Sequence, residues 1–302
     1  MADIKIAYRK EYAHPLPKGH KFPMDKYELL PQQLLHEGSY EPGDFFEPDV
    51  LDEEWILRTH EQEYWKRLKN LELSPREQRK TGFPHSNELI ERERIIMHGT
   101  LKAAESALDN GVAFNIAGGT HHAYTNRGEG FCLLNDIAIA SIYLLDRKQA
   151  KKILVVDLDV HQGNGTAQIF QNEKRVFTFS MHGAANYPLH KESSDLDIGL
   201  KTGIKDEEYL QILKTTLLKL IESEKPDFVF YQCGVDILES DKLGHLSVSM
   251  GGCKRRDEIV LETCFENQIP VTASMGGGYS EKISDIVEAH ANTYRVARHI
   301  WG

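Results

Sequence analysis

Reactive side chains alternate along one short segment, DLDVHQGNG, in which Asp157, Asp159 and His161 stand two residues apart. In extended backbone, residues i, i+2 and i+4 share one face, so these three side chains would project together. Burying neighbouring carboxylates is costly unless they are paired or bind a metal, and aspartate with imidazole suits zinc or another first-row divalent ion. We therefore predict Asp159 and His161 as metal ligands. A solvated loop with salt bridges is the alternative interpretation of this triplet taken alone.

A third ligand is expected from another strand end. Asp236 follows the apolar run FVFYQCGV and is the acidic residue nearest to the predicted rim of the sheet. Two aspartates and one histidine leave coordination positions free for water and substrate, which distinguishes a catalytic metal site from a closed structural one. The predicted ligand set therefore favours an enzyme.

Two glycine-rich stretches carry the other candidate residues. GGTHHA places His121 and His122 directly after a Gly-Gly turn, and adjacent imidazoles near a metal indicate acid–base catalysis. MGGGYS lacks the spacing of a phosphate-binding loop, and its glycines would instead hold Tyr279 where the hydroxyl can stabilise an oxyanion. Taken singly, each could be a structural histidine or a half-buried tyrosine that caps the next helix. The neighbouring metal ligands favour catalysis.

The elements that must position these residues follow a βαβ rhythm, in which apolar runs typical of buried parallel strands alternate with amphipathic helices. The predicted strands are 4–8, 112–116, 153–158, 176–181, 228–232 and 271–274. The predicted helices are 51–71, 87–110, 133–147, 165–171, 206–224, 252–267 and 280–300, and 14–43 reads as loop and short helix. No linker or repeat divides the chain. We predict a single three-layer α/β domain, residues 1–302, with a central, mainly parallel sheet that binds ligands beyond the carboxyl ends of its strands.

Composition excludes several classes of protein. The formal net charge of −10 argues against binding nucleic acid through its phosphates and mildly favours cationic substrates. No run of eighteen apolar residues could span a bilayer, and the N-terminal segment lacks the pattern of a secretory signal, so a cytoplasmic protein is expected. The four cysteines show no CxxC pairing and are expected to be reduced and mostly buried.

Five stretches together resemble the zinc-dependent histone deacetylase family, which has the arginase/deacetylase fold. They are GGTHHA, GEGFCLLND, VVDLDVHQGNG, GVDILESDKLGHLSVS and GGGY, in order and at family-like intervals. HQGNG and DILESDKLGHLS are similar to the class IV branch. The resemblance implies one Zn²⁺ per chain. The implied roles are zinc binding by Asp159, His161 and Asp236, acid–base catalysis by His121 and His122, and polarisation of the acyl carbonyl by Tyr279.

The resemblance also implies supporting residues, among them Asp157, which would orient His121. A structural K⁺ would be bound, largely through carbonyl oxygens, by Asp157, Asp159, His161, Ser180 and Met181. A narrow tunnel for the acyl-lysine stem would be lined by Gly130, Phe131, Tyr187, Leu243 and Gly277. At Asn164 the sequence departs from class I members, which carry there an aspartate that hydrogen-bonds the second histidine of the pair. An amide can fix the tautomer of His122 but cannot stabilise its imidazolium by charge.

The predicted function is hydrolysis of N-acyl-lysine side chains in a protein or peptide. Deacylation of an acetylpolyamine or another small acylated amine is the closest alternative, and an acyl chain longer than acetyl stays open. An arginase-like ureohydrolase is less favoured because its two metals need further bridging aspartates. A non-catalytic acyl-lysine-binding protein is also less favoured. Neither nucleic acid nor a membrane is an expected partner, and the sequence does not indicate an oligomeric state.

Overall fold

A single parallel sheet forms the centre of the protein in the computed structural model, which describes residues 3–302. Met1 and Ala2, the first two residues of the predicted domain, lie outside the described residues. The strands are β1 (Lys5–Ala7), β2 (Phe45–Phe46), β3 (Val112–Asn115), β4 (Ile153–Asp157), β5 (Val176–Gly183), β6 (Leu196–Leu200), β7 (Phe228–Gln232) and β8 (Val271–Ser274). Over residues 3–302 these eight strands pair in parallel in the order β2-β1-β3-β8-β7-β4-β5-β6. The predicted α/β fold is confirmed.

Helices flank the sheet in two packed groups. They are α1 (Lys26–His36), α2 (Glu53–Thr59), α3 (Gln62–Lys69), α4 (Pro75–Thr81), α5 (Asn87–Asn110), α6 (Asp136–Asp146), α7 (Asn164–Phe170), α8 (Asp206–Glu224), α9 (Met250–Glu266) and α10 (Ile283–Trp301). Two short 3₁₀ turns span Lys10–Tyr12 and Pro42–Asp44. One group contains α2, α3, α5, α6 and α7, and the other contains α1, α8, α9 and α10. The groups give the predicted three-layer arrangement.

The four central strands end on a row of polar residues. Asn115 of β3, Ser274 of β8, Gln232 of β7 and Asp157 of β4 are paired across the sheet, and Ser180 of β5 continues the row. Each of these four strands is buried along its whole length. Because all strands are parallel, the segments that follow them emerge side by side at one edge, where open α/β sheets bind ligands.

The predicted elements were wrong in four places, and one of them is helix α4, which was not predicted. The helix predicted over residues 51–71 is two helices, α2 and α3, because the intervening His60 has extended backbone (φ −109°, ψ 146°). Strand β2 was missed because it has only two residues. Strand β6 was missed because it lies at the sheet edge, where its first four residues alternate between half-buried and exposed and form no continuous apolar run.

Two expectations from composition agree with the structure. All four cysteines are buried and free. Over the part of the chain that the structure describes, no helix combines the length and the apolar character needed to cross a membrane.

Candidate metal centre and active site

Two carboxylates and one imidazole converge at the carboxyl edge of the sheet. In the described chain, residues 3–302, Asp159, His161 and Asp236 form a group of possible metal ligands whose donor atoms lie within 4.8 Å of one another. His161 Nδ1 is 3.0 Å from Asp159 Oδ1 and 3.1 Å from Asp236 Oδ2. Both aspartates are buried, whereas 12 % of the His161 side chain is exposed. The structure therefore brings the three predicted ligands together, with one side accessible from solvent.

The electrostatics of this cluster favour a cation. Burial and the negative charge of Asp159 raise the pKa of Asp236. Burial alone would lower the pKa of His161, but its hydrogen bonds to the two carboxylates raise it to about 10. Two buried carboxylates at this spacing need a compensating positive charge to stay ionised. The donor set and its negative potential therefore fit a divalent metal such as zinc.

Close backbone approach fixes the orientation of both carboxylates. A Cβ on Gly277 would lie 2.1 Å from Asp236 Oδ2, and a Cβ on Gly234 would lie 2.2 Å from Asp159 Oδ2. Gly277 N donates to Asp159 Oδ2 over 3.0 Å, and Val160 N donates to Asp236 Oδ1 over 2.9 Å. Gly277 thus packs against both carboxylates and also lines the small cavity beside them, and its place in the wall of a substrate tunnel stays a prediction.

His121 and His122 lie beside the three predicted metal ligands, and the ring centroids of the two histidines are 4.1 Å apart. His121 Nδ1 is 2.7 Å from a carboxylate oxygen of Asp157. His122 Nδ1 is 2.6 Å from the amide Oδ1 of Asn164, and the His122 ring is 5.9 Å from that of His161. Two adjacent imidazoles are therefore oriented by chemically different partners.

These partners give the two histidines opposite pKa shifts. Burial would lower the pKa of His121, but the charges of Asp157 and Asp159 raise it to about 9. Burial, with the charges of His121 and His161, lowers the pKa of His122 well below its ordinary value. At neutral pH the pair therefore combines a protonated imidazole with a neutral one, which is the state required of an acid and a base.

The loop that carries the histidines is held by polar groups at the strand edge. Gly118 and Gly119 have φ of +76° and +69°, a region that favours glycine. Asp136, at the start of α6, accepts hydrogen bonds from Gly119 N over 3.0 Å and from Thr120 N over 2.8 Å. Gln232 donates to Gly119 O over 2.8 Å. The histidine pair therefore has a rigid support.

Tyr279 borders the same pocket as His122 and His161. Its backbone N–H donates to Asp241 over 2.6 Å, and its ring centroid is 6.0 Å from Phe131 and 6.1 Å from Phe22. Burial and the charges of Asp236 and Asp159 raise the pKa of Tyr279 well above its ordinary value. The phenol is therefore neutral and able to donate a hydrogen bond at any physiological pH.

A small inner cavity of about 40 Å³ adjoins the cluster, bounded by Gly119, Cys132, Gly276 and Tyr279 among others. Lys26 of α1 lies close by: its Nζ donates to Gly276 O over 2.9 Å and is 5.7 Å from the Tyr279 ring. Burial lowers the pKa of Lys26 to about 8. The lining of the cavity therefore combines glycines and aromatic rings with His121, His122, Asp159 and His161, and one buried amine lies near it.

A larger outer pocket of about 740 Å³ leads from the surface to His122 and His161. Its lining includes four of the residues expected in the tunnel, Gly130, Phe131, Tyr187 and Leu243. The rim carries both signs of charge, since Glu129 is 2.8 Å from Arg127 and 3.5 Å from Lys80. The lining therefore combines charged groups, aromatic rings and the two site histidines, which suits a long apolar stem with a polar end.

The residues predicted for a structural potassium lie at and just beyond the end of β4 and in the adjoining part of β5. Ser180 pairs with Asp157 in the sheet, and Met181 follows it along β5. The Ser180 hydroxyl is 2.9 Å from Nδ1 of the buried His182. The potassium ion itself remains a prediction.

Several residues around the site were not singled out from the sequence. They are Lys26, Tyr124, Asp136, Glu192, Gln232 and Asp241. Asp136 and Asp241 lie within the stretches GEGFCLLND and GVDILESD, so the motifs themselves contain a signal for them. Lys26, Tyr124 and Glu192 belong to segments without any recognisable spacing, and only the fold brings them to the site.

Comparisons with known proteins agree with this geometry. A model of the histone deacetylase domain matches residues 20–294. An uncharacterised protein of Picosynechococcus sp. is 44% identical over 98% of this chain and 99% of its own length. Histone deacetylase 2 of Arabidopsis thaliana is 27% identical over 95% of this chain and 77% of its own length. The crystal structure of an HDAC homologue complexed with SAHA covers 98% of this chain and 84% of its own, with a TM-score of 0.84 at 24% identity.

The sheet, the strand-edge cluster and the family match together define the class of the protein. The chain belongs to the histone deacetylase family, a family of hydrolases. The uncharacterised Picosynechococcus protein matches it over nearly the full length of both chains. The expected place of this chain within the class IV branch stays a prediction.

Proposed function

We propose that this chain is one catalytic domain that hydrolyses the amide bond of N-acetyl-lysine side chains with the help of a bound zinc ion. The observation that carries the proposal is the convergence of a metal-type ligand set, Asp159, His161 and Asp236, beside a pair of histidines with opposite pKa shifts. A pocket of about 740 Å³ connects this point with the surface.

Each polar group has a task in this reaction. A zinc ion held by the three ligands would polarise the acyl carbonyl and lower the pKa of a water molecule. His122, neutral because its pKa is low, accepts a proton as the water oxygen bonds to the carbonyl carbon. The Tyr279 hydroxyl donates a hydrogen bond to the carbonyl oxygen as negative charge develops there. Breaking of the C–N bond then releases a carboxylate, and the lysine amine takes up the proton that His122 had accepted.

The size of the inner cavity supports an acetyl group as the acyl group. Its volume is about 40 Å³. Since a cavity needs about 10–15 Å³ to hold one water molecule, this space suits a short acyl group better than a long one. The outer pocket is wide enough for the lysine stem and part of a peptide backbone.

Removal and restoration of the metal test the proposal. A fluorogenic acetyl-lysine peptide should lose its turnover after chelation and regain it when zinc is added, and Asp236→Asn should stay inactive under both conditions. Equal turnover before and after chelation would refute the metal mechanism. Acetylspermidine and a long-chain acyl-lysine peptide serve as competing substrates. Faster hydrolysis of either would redirect the substrate class, and bound zinc with no turnover on any substrate would indicate a binding protein.

A further inference from the structure

A continuous chain of hydrogen bonds runs from His122 to the rim of the outer pocket. His122 Nδ1 is 2.6 Å from Asn164 Oδ1. The amide nitrogen of Asn164 donates to the Tyr124 hydroxyl over 2.9 Å. The Tyr124 hydroxyl in turn donates to the Glu192 carboxylate over 3.2 Å. Asn164 and Tyr124 are buried, whereas Glu192 is half-buried at the pocket rim.

The chemistry of its outer end gives this chain a fixed direction. A carboxylate can only accept a hydrogen bond, so Glu192 accepts the single hydrogen bond that the Tyr124 hydroxyl can donate. The Tyr124 oxygen can then only accept from its other neighbour, and the group that donates to it must be the amide nitrogen of Asn164. The amide oxygen is thereby turned toward His122. Gly165 N, which can only donate, is 3.1 Å from the same oxygen and requires the same orientation.

The direction of the chain decides which nitrogen of His122 carries its proton. Because Asn164 Oδ1 is an acceptor, His122 Nδ1 must be the donor, and the neutral ring then has its lone pair on Nε2. We propose that Tyr124 and Glu192 are positioning residues, which act through Asn164 to hold His122 in the tautomer with a proton on Nδ1. This inference rests on the proposed function only in giving His122 the task of a base.

Further contacts hold the outer end of the chain in place. Gln162 donates to Glu192 O over 2.7 Å and accepts from Glu192 N over 2.9 Å, so the backbone of Glu192 is fixed at two points. The guanidinium of Arg127 lies 3.4 Å from the centroid of the Tyr124 ring. Burial and the charge of Glu192 raise the pKa of Tyr124 to about 12, so its hydroxyl keeps the proton that it donates.

The first test separates positioning from substrate binding. Tyr124→Phe removes both hydrogen bonds of the hydroxyl and leaves a buried amide donor unpaired, so kcat should fall about tenfold while KM changes by less than about twofold. Tyr143→Phe is the matched control, because the Tyr143 hydroxyl also donates to a glutamate, Glu105, but far from the site. Equal kcat in the two variants would overturn the proposal, and so would a loss confined to KM.

The second test needs no substrate. ¹⁵N shifts of the His122 ring, in the full chain with its metal, should show a single form protonated on Nδ1 in the wild type and a mixture of tautomers in Tyr124→Phe. Glu192→Leu, at the accessible rim, should have the same effect, and Glu192→Gln, which keeps an acceptor oxygen, should restore the single form. An unchanged tautomer in both Tyr124→Phe and Glu192→Leu would refute the inference. Because this readout is independent of turnover, it also distinguishes failure of the inference from failure of the proposed function.

Discussion

At the scale of single residues, two neighbouring histidines differ in the type of their hydrogen-bonding partner, which is a carboxylate for one and an amide for the other. A carboxylate oxygen of Asp157 faces His121, and an amide oxygen of Asn164 faces His122. The first partner holds a proton on its histidine by charge, whereas the second fixes the ring without adding charge. Burial and the positive charges of His121 and His161 therefore lower the pKa of His122.

Loss of the Tyr279 hydroxyl should slow the chemical step with little effect on binding. Tyr279→Phe keeps the ring contacts with Phe22 and Phe131 but removes the donor. We expect kcat to fall about 100-fold or more, as when one oxyanion donor is removed from other hydrolases. Steady-state kinetics on an acetyl-lysine peptide measure both constants. Near wild-type kcat in this variant would exclude the proposed role of Tyr279.

The residues that the sequence could predict are those whose spacing carries information. Asp159 and His161 alternate on one strand end, and His121 and His122 follow a glycine turn, so a local pattern marks them. Lys26 contacts Gly276 across 250 positions of the chain, and no local pattern encodes such a contact. The positions of these side chains depend on tertiary packing, which a single sequence does not reveal.

At the scale of elements, helix α7 connects the segment that carries the predicted metal ligands Asp159 and His161 to the loop of residues 118–123, which carries the two histidines. Its first turn contains Asn164, and Thr166 N donates to His121 O over 3.1 Å. A Cβ on Gly165 would lie 2.3 Å from Ala123 O and 2.7 Å from the carbonyl carbon of His122. The helix can therefore approach the loop this closely only because glycine occupies that position.

Gly165→Ala should disturb both stability and turnover. The new methyl group must push the backbone of the histidine loop away, which should cost about 1–3 kcal/mol of unfolding free energy. Since His122 moves with that loop, kcat should fall as well. Gly43→Ala is the control, because no atom lies within 4 Å of a Cβ at Gly43. Urea unfolding and peptide turnover measure the two effects. If both variants behaved alike, close packing of α7 would have no part in the site.

His60 joins three elements through a neutral ring. It ends α2, its Nδ1 is 2.9 Å from Tyr124 O, and its Nε2 accepts from Asn135 N, at the start of α6, over 3.1 Å. Burial lowers the pKa of His60 to about 4. The break between α2 and α3, which periodicity did not predict, therefore places a satisfied core histidine against the backbone behind the site.

The low pKa of His60 makes folding sensitive to acid. Between about pH 4 and 6.5 the unfolded chain binds more protons than the folded one, so this contribution to stability is complete above pH 6.5 and is lost as the pH falls toward 4. From pH 7.5 to pH 5 the wild type should lose about 2 kcal/mol more unfolding free energy than His60→Gln. Urea titrations at both pH values measure the difference, with exposed His299→Gln as the control. Parallel losses in all three proteins would contradict this explanation.

At the scale of the whole molecule, the sheet was predictable because its central strands are continuous apolar runs and its topology is parallel. The order of the strands was not predictable, since pairing of β3 with β8 and of β8 with β7 joins segments far apart in sequence. That order is what brings residues 118–122, 159–161, 236 and 275–279 to one place. The site could therefore be inferred only from the shared position of its motifs at strand ends.

The net charge of −10 should also act at this scale, through long-range attraction of basic substrates. Charges at the rim of the outer pocket largely compensate one another, because Glu129 is paired with Arg127 and Lys80. A preference for cationic peptides would therefore come from the electric field of the entire molecule. Salt screens this field, because the Debye length falls from about 30 Å at 0.01 M to about 10 Å at 0.1 M ionic strength.

An acetyl-lysine peptide flanked by lysine and arginine should accordingly lose about tenfold in kcat/KM between 0.01 M and 0.3 M sodium chloride, whereas a peptide with neutral flanks should change little. Most of the loss should appear below 0.1 M, where screening of distant charges is completed, and kcat at saturation should stay constant. Identical salt curves for the two peptides would show that the net charge does not select substrates. A loss that continued steeply above 0.1 M would instead indicate direct ion pairing at the rim.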